Sequence, residues 1–210
     1  MSVVVVKLGG SLASSDELPQ WLDVIATAGA GKVVLVPGGG AWADEVREAQ
    51  KRDGFDDRVA HRKALRAMER YGKVLAGMRV NLVLADDIAS IDEVLRNGQV
   101  AVWRPFEMVV ADASIPQTWD VTSDSLSAWL ARELGAALLV LVKSVSVPDP
   151  KIRAGEMMKK GWVDACFDEF CASGNFRHRV FGTGDHRQLA RMLAGRIADR
   201  PSDDATGSGR

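Results

Sequence analysis

The most constraining feature of the sequence is the stretch VVVVKLGGS, which begins at Val3 and ends at Ser11. Consecutive β-branched residues are typical of a strand that is buried on both faces, as in a parallel sheet. The glycines that follow leave backbone N–H groups at the carboxyl end of this strand, where they suit an anion. Lys7 adds a positive charge beside them. Taken alone, the stretch also fits a strand, a tight turn and a solvated lysine.

A second predicted strand ends in the same way. Residues 32–37, KVVLVP, form a buried apolar run, and Gly38, Gly39 and Gly40 follow it. Between the two strands, apolar residues at helical spacing predict a helix from Asp16 to Ala28. A strand, a helix and a strand make a right-handed parallel unit, and open α/β sheets bind ligands at the carboxyl ends of their strands. Two glycine turns at the same edge of a sheet therefore favour an anion-binding site more strongly than a single glycine turn does.

Helices and strands continue to alternate along the chain. Further helices are predicted over residues 41–52, 56–78, 91–95 and 185–197, and over residues 156–172 with a break expected near Gly161. Further strands are predicted over residues 81–84, 100–103, 137–142 and 179–181. This alternation predicts an α/β fold, a sandwich of helical layers around a mostly parallel sheet. The small, polar residues at the carboxyl terminus, 199–210, are expected to form a disordered tail.

Composition excludes several classes of function. A formal net charge of −1 provides no basic field for nucleic acid, and no apolar run is long enough for a membrane span. The amino terminus lacks the pattern of a signal peptide. Cys166 and Cys171 are expected to be reduced, buried thiols of a cytoplasmic protein, and the three scattered histidines make a dedicated metal site improbable.

The segment WDVTSDSL, which starts at Trp119, is predicted to open a helix that runs to Leu134. Its polar residues Asp120, Thr122 and Ser123 are capping candidates, and the carboxylate of Asp124 suits the positive end of the helix dipole. Capping accounts for one or two of these residues but not for all the polar side chains in so short a segment. The segment is therefore also a candidate binding motif.

A dinucleotide-binding oxidoreductase is a competing interpretation. Residues 38–43, GGGAWA, fit the loose pattern G-x-G-x-x-[GA]. That interpretation needs a strand that ends in an acidic residue about 20 positions further on. Asp56 and Asp57 lie near that distance, but they begin a predicted helix, which disfavours this interpretation. The phosphate-binding pattern G-x-x-x-x-G-K-[ST] is absent from the sequence.

Three segments taken together resemble the signature segments of the amino-acid kinase superfamily. They are, in order, Lys7-Leu8-Gly9-Gly10-Ser11, Val36-Pro37-Gly38-Gly39-Gly40 and Thr122-Ser123-Asp124. The resemblance extends over residues 1–198 and implies a single domain with an open sheet of about eight strands. It also implies two halves: residues 1–135 would bind the acceptor, and residues 136–198 would bind the nucleotide. ATP would be the donor, with Mg²⁺ held mainly by the nucleotide phosphates. The protein would form a homo-oligomer.

The resemblance also assigns roles to individual residues. Lys7 would face the transferring phosphoryl group, and Asp124 would hold this catalytic lysine in place. The phosphate-binding residues would be Gly9, Gly10, Ser11, Gly38, Gly39 and Gly40; the acceptor contacts His61, Arg104, Asp120, Thr122 and Ser123; and the nucleotide contacts Lys143, Ser144, Val145 and Asp149. From the residues alone, His61 lies beside an apolar helix stripe, where a hydrogen-bonded core histidine is the commoner outcome. Positioning and charge neutralisation are most of what phosphoryl transfer needs.

The chain departs from the superfamily at the nucleotide loop. Where the family usually reads Thr-Asp-x-x-Gly-Val, residues 143–147 read KSVSV, and only Asp149-Pro150 remains. This altered loop keeps open an alternative function, a non-catalytic nucleotide- or oxyanion-binding protein. The length and residues 119–125 most resemble the branch that phosphorylates an aminomethylfuran methyl phosphate to its diphosphate in methanofuran or methylofuran synthesis. Such an acceptor is already anionic and needs no general base.

Overall fold

The valine run lies at the centre of a parallel sheet in the computed structural model, which describes residues 2–195. Strand β1 (Val4–Leu8) pairs with β2 (Val33–Pro37) on one side and with β5 (Leu138–Val142) on the other. The sheet order is β3-β4-β2-β1-β5-β6, and every pairing is parallel. The remaining strands are β3 (Leu82–Ala85), β4 (Val100–Trp103) and β6 (Arg177–Phe181). All residues of β1, β2 and β5 are buried, because helices cover both faces of the sheet. The predicted α/β sandwich is confirmed.

The sheet has six strands within residues 2–195, whereas the resemblance implied about eight. The segments that follow β4 and β5 form loops and short helices instead of strands. Each segment contains two prolines, Pro105 and Pro116 in the first and Pro148 and Pro150 in the second. Proline cannot donate a ladder hydrogen bond, which disfavours strand pairing in these segments.

Nine helices of the described part of the chain surround the sheet: α1 (Leu18–Ala28), α2 (Gly40–Asp53), α3 (Asp57–Met78), α4 (Ile88–Arg96), α5 (Phe106–Ala111), α6 (Ser123–Glu133), α7 (Ala154–Lys159), α8 (Phe167–Ala172) and α9 (His186–Leu193). The sequence pattern did not predict α5. The helix predicted over residues 156–172 is two short helices. Residue 196 onward, including the end of the last predicted helix and the predicted tail over residues 199–210, lies outside the described residues. No helix of residues 2–195 is long and apolar enough to cross a membrane.

Alternation along β1 decides where its lysine points. Val6 belongs to the core cluster that packs α1 and α9 against one face of the sheet, with Trp21 and Leu189 among its members. Val5 belongs to the opposite cluster, which includes Leu126 of α6. Because successive side chains of a strand point to opposite faces, Lys7 shares the face of Val5. The lysine therefore lies under α6, and its exposed fraction is only 4%.

The two glycine turns meet at the carboxyl edge of the sheet. A Cβ atom on Gly10 would overlap the backbone of Gly40, and one on Gly38 would overlap the amide nitrogen of Gly10. Gly40 itself has a φ of +56°, in the left-handed region that favours glycine. The glycines are thus required by the close approach of the two turns.

Gly10→Ala is expected to destabilise the protein by ~1–3 kcal/mol, because the added methyl group forces the two turns apart. Gly77→Ala is the matched control. Gly77 lies on the exposed side of α3 with open space around its Cβ position, so alanine there should raise stability by up to ~1 kcal/mol. Urea denaturation of the two variants checks the prediction, and equal stability of both would contradict it.

Candidate active site

Asp124, in the first turn of α6, lies buried between two lysines. The Nζ atom of Lys7 is 2.9 Å from its Oδ1 atom, and Lys143 Nζ donates to its Oδ2 atom at 2.6 Å. Lys7 belongs to β1, and Lys143 directly follows β5, the neighbouring strand. Each oxygen of one carboxylate therefore faces an ammonium group. Of these three side chains, two are cationic and one is anionic, so together they carry one net positive charge.

Burial and charge act in opposite directions on these groups. Burial favours a raised pKa for Asp124, but Lys7 and Lys143 together outweigh it, and the pKa of this carboxyl lies below its usual value. Burial lowers the pKa of Lys143 to about 8, and the charge of Lys7 adds to this effect, although Asp124 opposes it. The Lys143 amine is therefore charged below about pH 8 and loses its proton near that value, well before an exposed lysine would.

A cavity of about 210 Å³ lies next to the lysine pair. Its polar lining includes Lys7, Ser123 and residues of the two glycine turns. Its apolar lining comes from α3, α6 and the segment before α6: Ala64, Leu65, Met68, Val121 and Leu126. The cavity thus combines polar groups suited to phosphate with apolar groups suited to a small apolar ligand.

His61 also lines this cavity. Its Nδ1 atom is 3.3 Å from the carbonyl oxygen of Thr118. A carbonyl can only accept, so this contact places the imidazole proton on Nδ1. Burial lowers the pKa of His61, which keeps the ring neutral at pH 7, although the Thr118 carbonyl opposes the shift. Nε2 has no hydrogen-bond partner among the described residues, and it is left as an acceptor for a donor group of a ligand.

The predicted phosphate-binding residues separate into two groups. Gly10, Ser11, Gly39 and Gly40 line the cavity. Gly39 and Gly40 also begin α2, whose first N–H groups have no acceptor within the helix. Gly9 and Gly38 differ, because their N–H groups donate to the carbonyls of Val142 and Leu8 at 3.2 and 2.9 Å. These two amides extend the sheet ladder, so the prediction that they bind phosphate directly is wrong.

The predicted acceptor contacts are also only partly brought together. His61, Thr122 and Ser123 line the cavity. Arg104 does not, because its guanidinium group pairs with Asp86, with Nε 3.2 Å from Oδ1. Asp120 does not line the cavity either, and its side chain is exposed. Thr122 lines the cavity, but its hydroxyl group donates to the carboxylate of Asp164, which lies outside the cavity lining. Arg104 follows the end of a strand as predicted, but β4 lies two strands away from β1.

Of the predicted nucleotide contacts, Lys143 reaches Asp124, as described above. Ser144 and Val145 are exposed on the loop that follows it. Asp149 lines a second cavity of about 180 Å³, together with Phe181 at the end of β6. The predicted contacts therefore extend along one loop, from the lysine pair to this second cavity.

The first cavity is also lined by Asp44, Arg47 and Trp119, which were not predicted as site residues. The guanidinium carbon of Arg47 lies 4.3 Å from the centroid of the Trp119 ring, and this ring donates through Nε1 to Gln50 at 2.7 Å. Arg47 also pairs with Asp44 at 2.8 Å. A signal was present, because Gly40, Asp44 and Arg47 recur at helical spacing and share one face of α2.

These features define a class of protein: a parallel α/β fold whose glycine turns and lysine pair form an anion-binding site at the sheet edge. The sequence profile of the Amino acid kinase family matches residues 2–153. The chain belongs to the Amino acid kinase family, and the resemblance inferred from the sequence is confirmed.

Relatives and solved structures agree with this family. The chain is 26% identical over 156 residues to the [5-(aminomethyl)furan-3-yl]methyl phosphate kinase of Methanocaldococcus jannaschii. The matched residues cover 73% of this chain and 71% of the relative. The crystal structure of uridylate kinase from Archaeoglobus fulgidus matches with a TM-score of 0.69 and 17% identity, over 93% of this chain and 96% of that one. Isopentenyl phosphate kinase matches with a TM-score of 0.59 and 16% identity, over 93% and 97% of the two chains. At these identities, the solved structures confirm the fold alone.

The Lys143 amine in the free protein is expected to react with acetic anhydride with a midpoint near pH 8, because burial and Lys7 disfavour its charge. Competitive labelling against a reference amine, followed by peptide mass spectrometry, measures this midpoint. Asp124→Asn should move it to lower pH, because the carboxylate that favours the ammonium is lost. A Lys143 midpoint above pH 10 would contradict the described environment.

Proposed function

We propose that this chain is an ATP-dependent kinase that transfers the γ-phosphoryl group to a small phosphomonoester. The observation that carries the proposal is the pair of lysines on one buried carboxylate, beside a cavity whose glycine turns expose backbone amides. Phosphoryl transfer depends mainly on positioning and on neutralising the charge of the equatorial oxygens. Two fixed ammonium groups and oriented N–H groups supply both.

The reaction needs no general base. A phosphate oxygen of the acceptor attacks the γ-phosphorus, the bond from that phosphorus to the β–γ bridging oxygen breaks, and ADP leaves with its electron pair. Lys7 and Lys143 would neutralise the charge on the transferring group, while Asp124 holds both in place. A second lysine would therefore assist transfer, and it is Lys143, which occupies the start of the altered nucleotide loop.

The proposed acceptor is an aminomethylfuran methyl phosphate, which would give a diphosphate. The similarity to the [5-(aminomethyl)furan-3-yl]methyl phosphate kinase of Methanocaldococcus jannaschii supports this choice. The chemistry of the cavity supports it independently. The polar lining suits the phosphate, the apolar lining with Leu65 and Met68 suits a small ring, and the unpartnered Nε2 of His61 suits an amine donor.

ATP would bind through the carboxyl-terminal half, from Lys143 to the cavity at Asp149. For Mg²⁺, Asp124 has no free carboxylate oxygen, because each oxygen faces a lysine. Within residues 2–195, no cluster of three or more His, Cys, Asp or Glu side chains could hold a metal ion. These residues do not fit a protein-bound cation, so we place the ion on the nucleotide phosphates. We further propose, from the family resemblance, a cytoplasmic homo-oligomer.

The alternative is a nucleotide- or oxyanion-binding protein without catalysis, which the loop KSVSV at residues 143–147 keeps open. The decisive experiment measures ATP consumption with a panel of phosphomonoesters, including the aminomethylfuran methyl phosphate, uridylate and isopentenyl phosphate. The proposal predicts ADP formation with the furan compound and a new diphosphate signal in ³¹P NMR. ATP binding without transfer to any acceptor would favour the alternative.

Lys7→Ala should lower turnover by ~10²-fold or more while the protein remains folded, because the charge facing the transferring group is removed. Lys7→Arg should restore only part of the activity, because a planar guanidinium cannot occupy the position of a compact ammonium. Lys51→Ala, which removes an exposed lysine of α2, is the control and should retain full activity. Steady-state kinetics decide the matter, and an active Lys7→Ala variant would exclude the proposed role.

A further inference from the structure

The helix that carries Asp124 is capped by a residue distant in sequence. Its N-cap residue, Thr122, forms no side-chain capping bond of its own. Instead, Asp164 accepts hydrogen bonds through Oδ2 from the backbone N–H groups of Thr122 and Ser125, at 2.8 and 3.1 Å. The hydroxyl group of Thr122 also donates to Oδ2 at 2.7 Å, and that of Ser125 donates to Oδ1. One carboxylate thus satisfies four donors.

Asp164 lies in the loop between α7 and α8, about 40 residues further along the chain than the helix start it binds. The same loop makes a second contact, in which the backbone N–H of Cys166 donates to the carbonyl of Asp120 at 3.1 Å. A carboxylate at a helix N-terminus satisfies amides that the helix cannot, and its charge suits the helix dipole. This loop therefore fixes both the position and the orientation of the first turn of α6.

The residues that Asp164 binds lie on either side of Asp124 in sequence. Fixing Thr122 and Ser125 fixes the backbone between them, and with it the carboxylate that both lysines contact. We propose that Asp164 is a positioning residue for phosphoryl transfer, which holds Asp124 between Lys7 and Lys143 without touching the substrate. This inference rests on the proposed kinase function.

The charges around Lys143 support a functional connection. Burial and Lys7 disfavour its ammonium form, whereas Asp124 and Asp164 favour it. The site therefore contains two cations and two anions, and Asp164 helps to keep Lys143 charged at neutral pH. A carboxylate that capped a helix far from any ionisable group would not change the pKa of a lysine.

The chain offers a matched control for the purely structural role. Asp87 also caps a helix with its carboxylate, although from within the same segment: it is the N-cap residue of α4, and its side chain accepts from Ser90 N at 2.8 Å in a capping box. It neither lines the first cavity nor contacts the lysine pair. Asp164→Asn and Asp87→Asn therefore remove comparable capping charges, one beside the lysine pair and one away from it.

The test compares thermal melting, steady-state kinetics and Lys143 labelling in both variants. Each substitution should lower Tm by up to about 4 °C, as expected for a charge lost at a helix N-terminus. Only Asp164→Asn should lower kcat by about tenfold or more, with KM values for both substrates changed by less than about threefold, the sign of a lost transition-state interaction. Only Asp164→Asn should also move the Lys143 labelling midpoint to lower pH.

Equal kcat values and an unmoved Lys143 midpoint in Asp164→Asn would overturn the proposal and leave Asp164 as a structural cap. Labelling needs no turnover. If the wild-type protein has no kinase activity, the proposed function is wrong, but the Lys143 midpoint still shows whether Asp164 acts on the lysine pair. Asp164→Glu separates charge from geometry. It should keep the midpoint near the wild-type value, and a midpoint equal to that of Asp164→Asn would contradict the electrostatic part of the proposal.

Discussion

The interaction on which the site depends is one buried carboxylate bound by two ammonium groups. Removing a charged side chain from water costs several kcal/mol, so Lys7 and Lys143 can be buried side by side only because Asp124 lies between them. The register of β1 against β5 brings the two lysines together, since Lys7 lies opposite Leu141, two residues before Lys143. The parallel sheet thus determines the charge arrangement.

The same arrangement explains why the site suits an anionic transferring group. Lys7, Lys143 and Asp124 together carry one net positive charge, and Asp164, which binds the first turn of α6, also favours the charged form of Lys143. A phosphoryl group that enters between the glycine turns and the lysines meets ammonium groups that are already oriented. Electrostatic catalysis needs this preorganisation, because no rearrangement is then required during the reaction.

Much of this site could be predicted from local sequence patterns, and the rest could not. The valine run, the glycine turns and the polar start of α6 each carry a short-range signal, so Lys7, Gly10, Gly40 and Asp124 were identified correctly as neighbours in the fold. The ladder bonds of Gly9 and the pairing of Arg104 with Asp86 depend on strand order, which periodicity does not specify. Asp164 depends on a loop contact about 40 residues away, for which the sequence carries no local pattern.

The most direct test of this account is the turnover of Asp124→Asn, measured at a temperature at which the variant is still folded. The substitution keeps the size of the side chain but removes the charge that orients both lysines. The account predicts a fall in kcat of ~10²-fold or more with little change in the KM of the acceptor, while a control at the exposed Asp168, Asp168→Asn, keeps full activity. A destabilised but fully active Asp124→Asn would contradict the account and reduce Asp124 to a structural residue of a helix start.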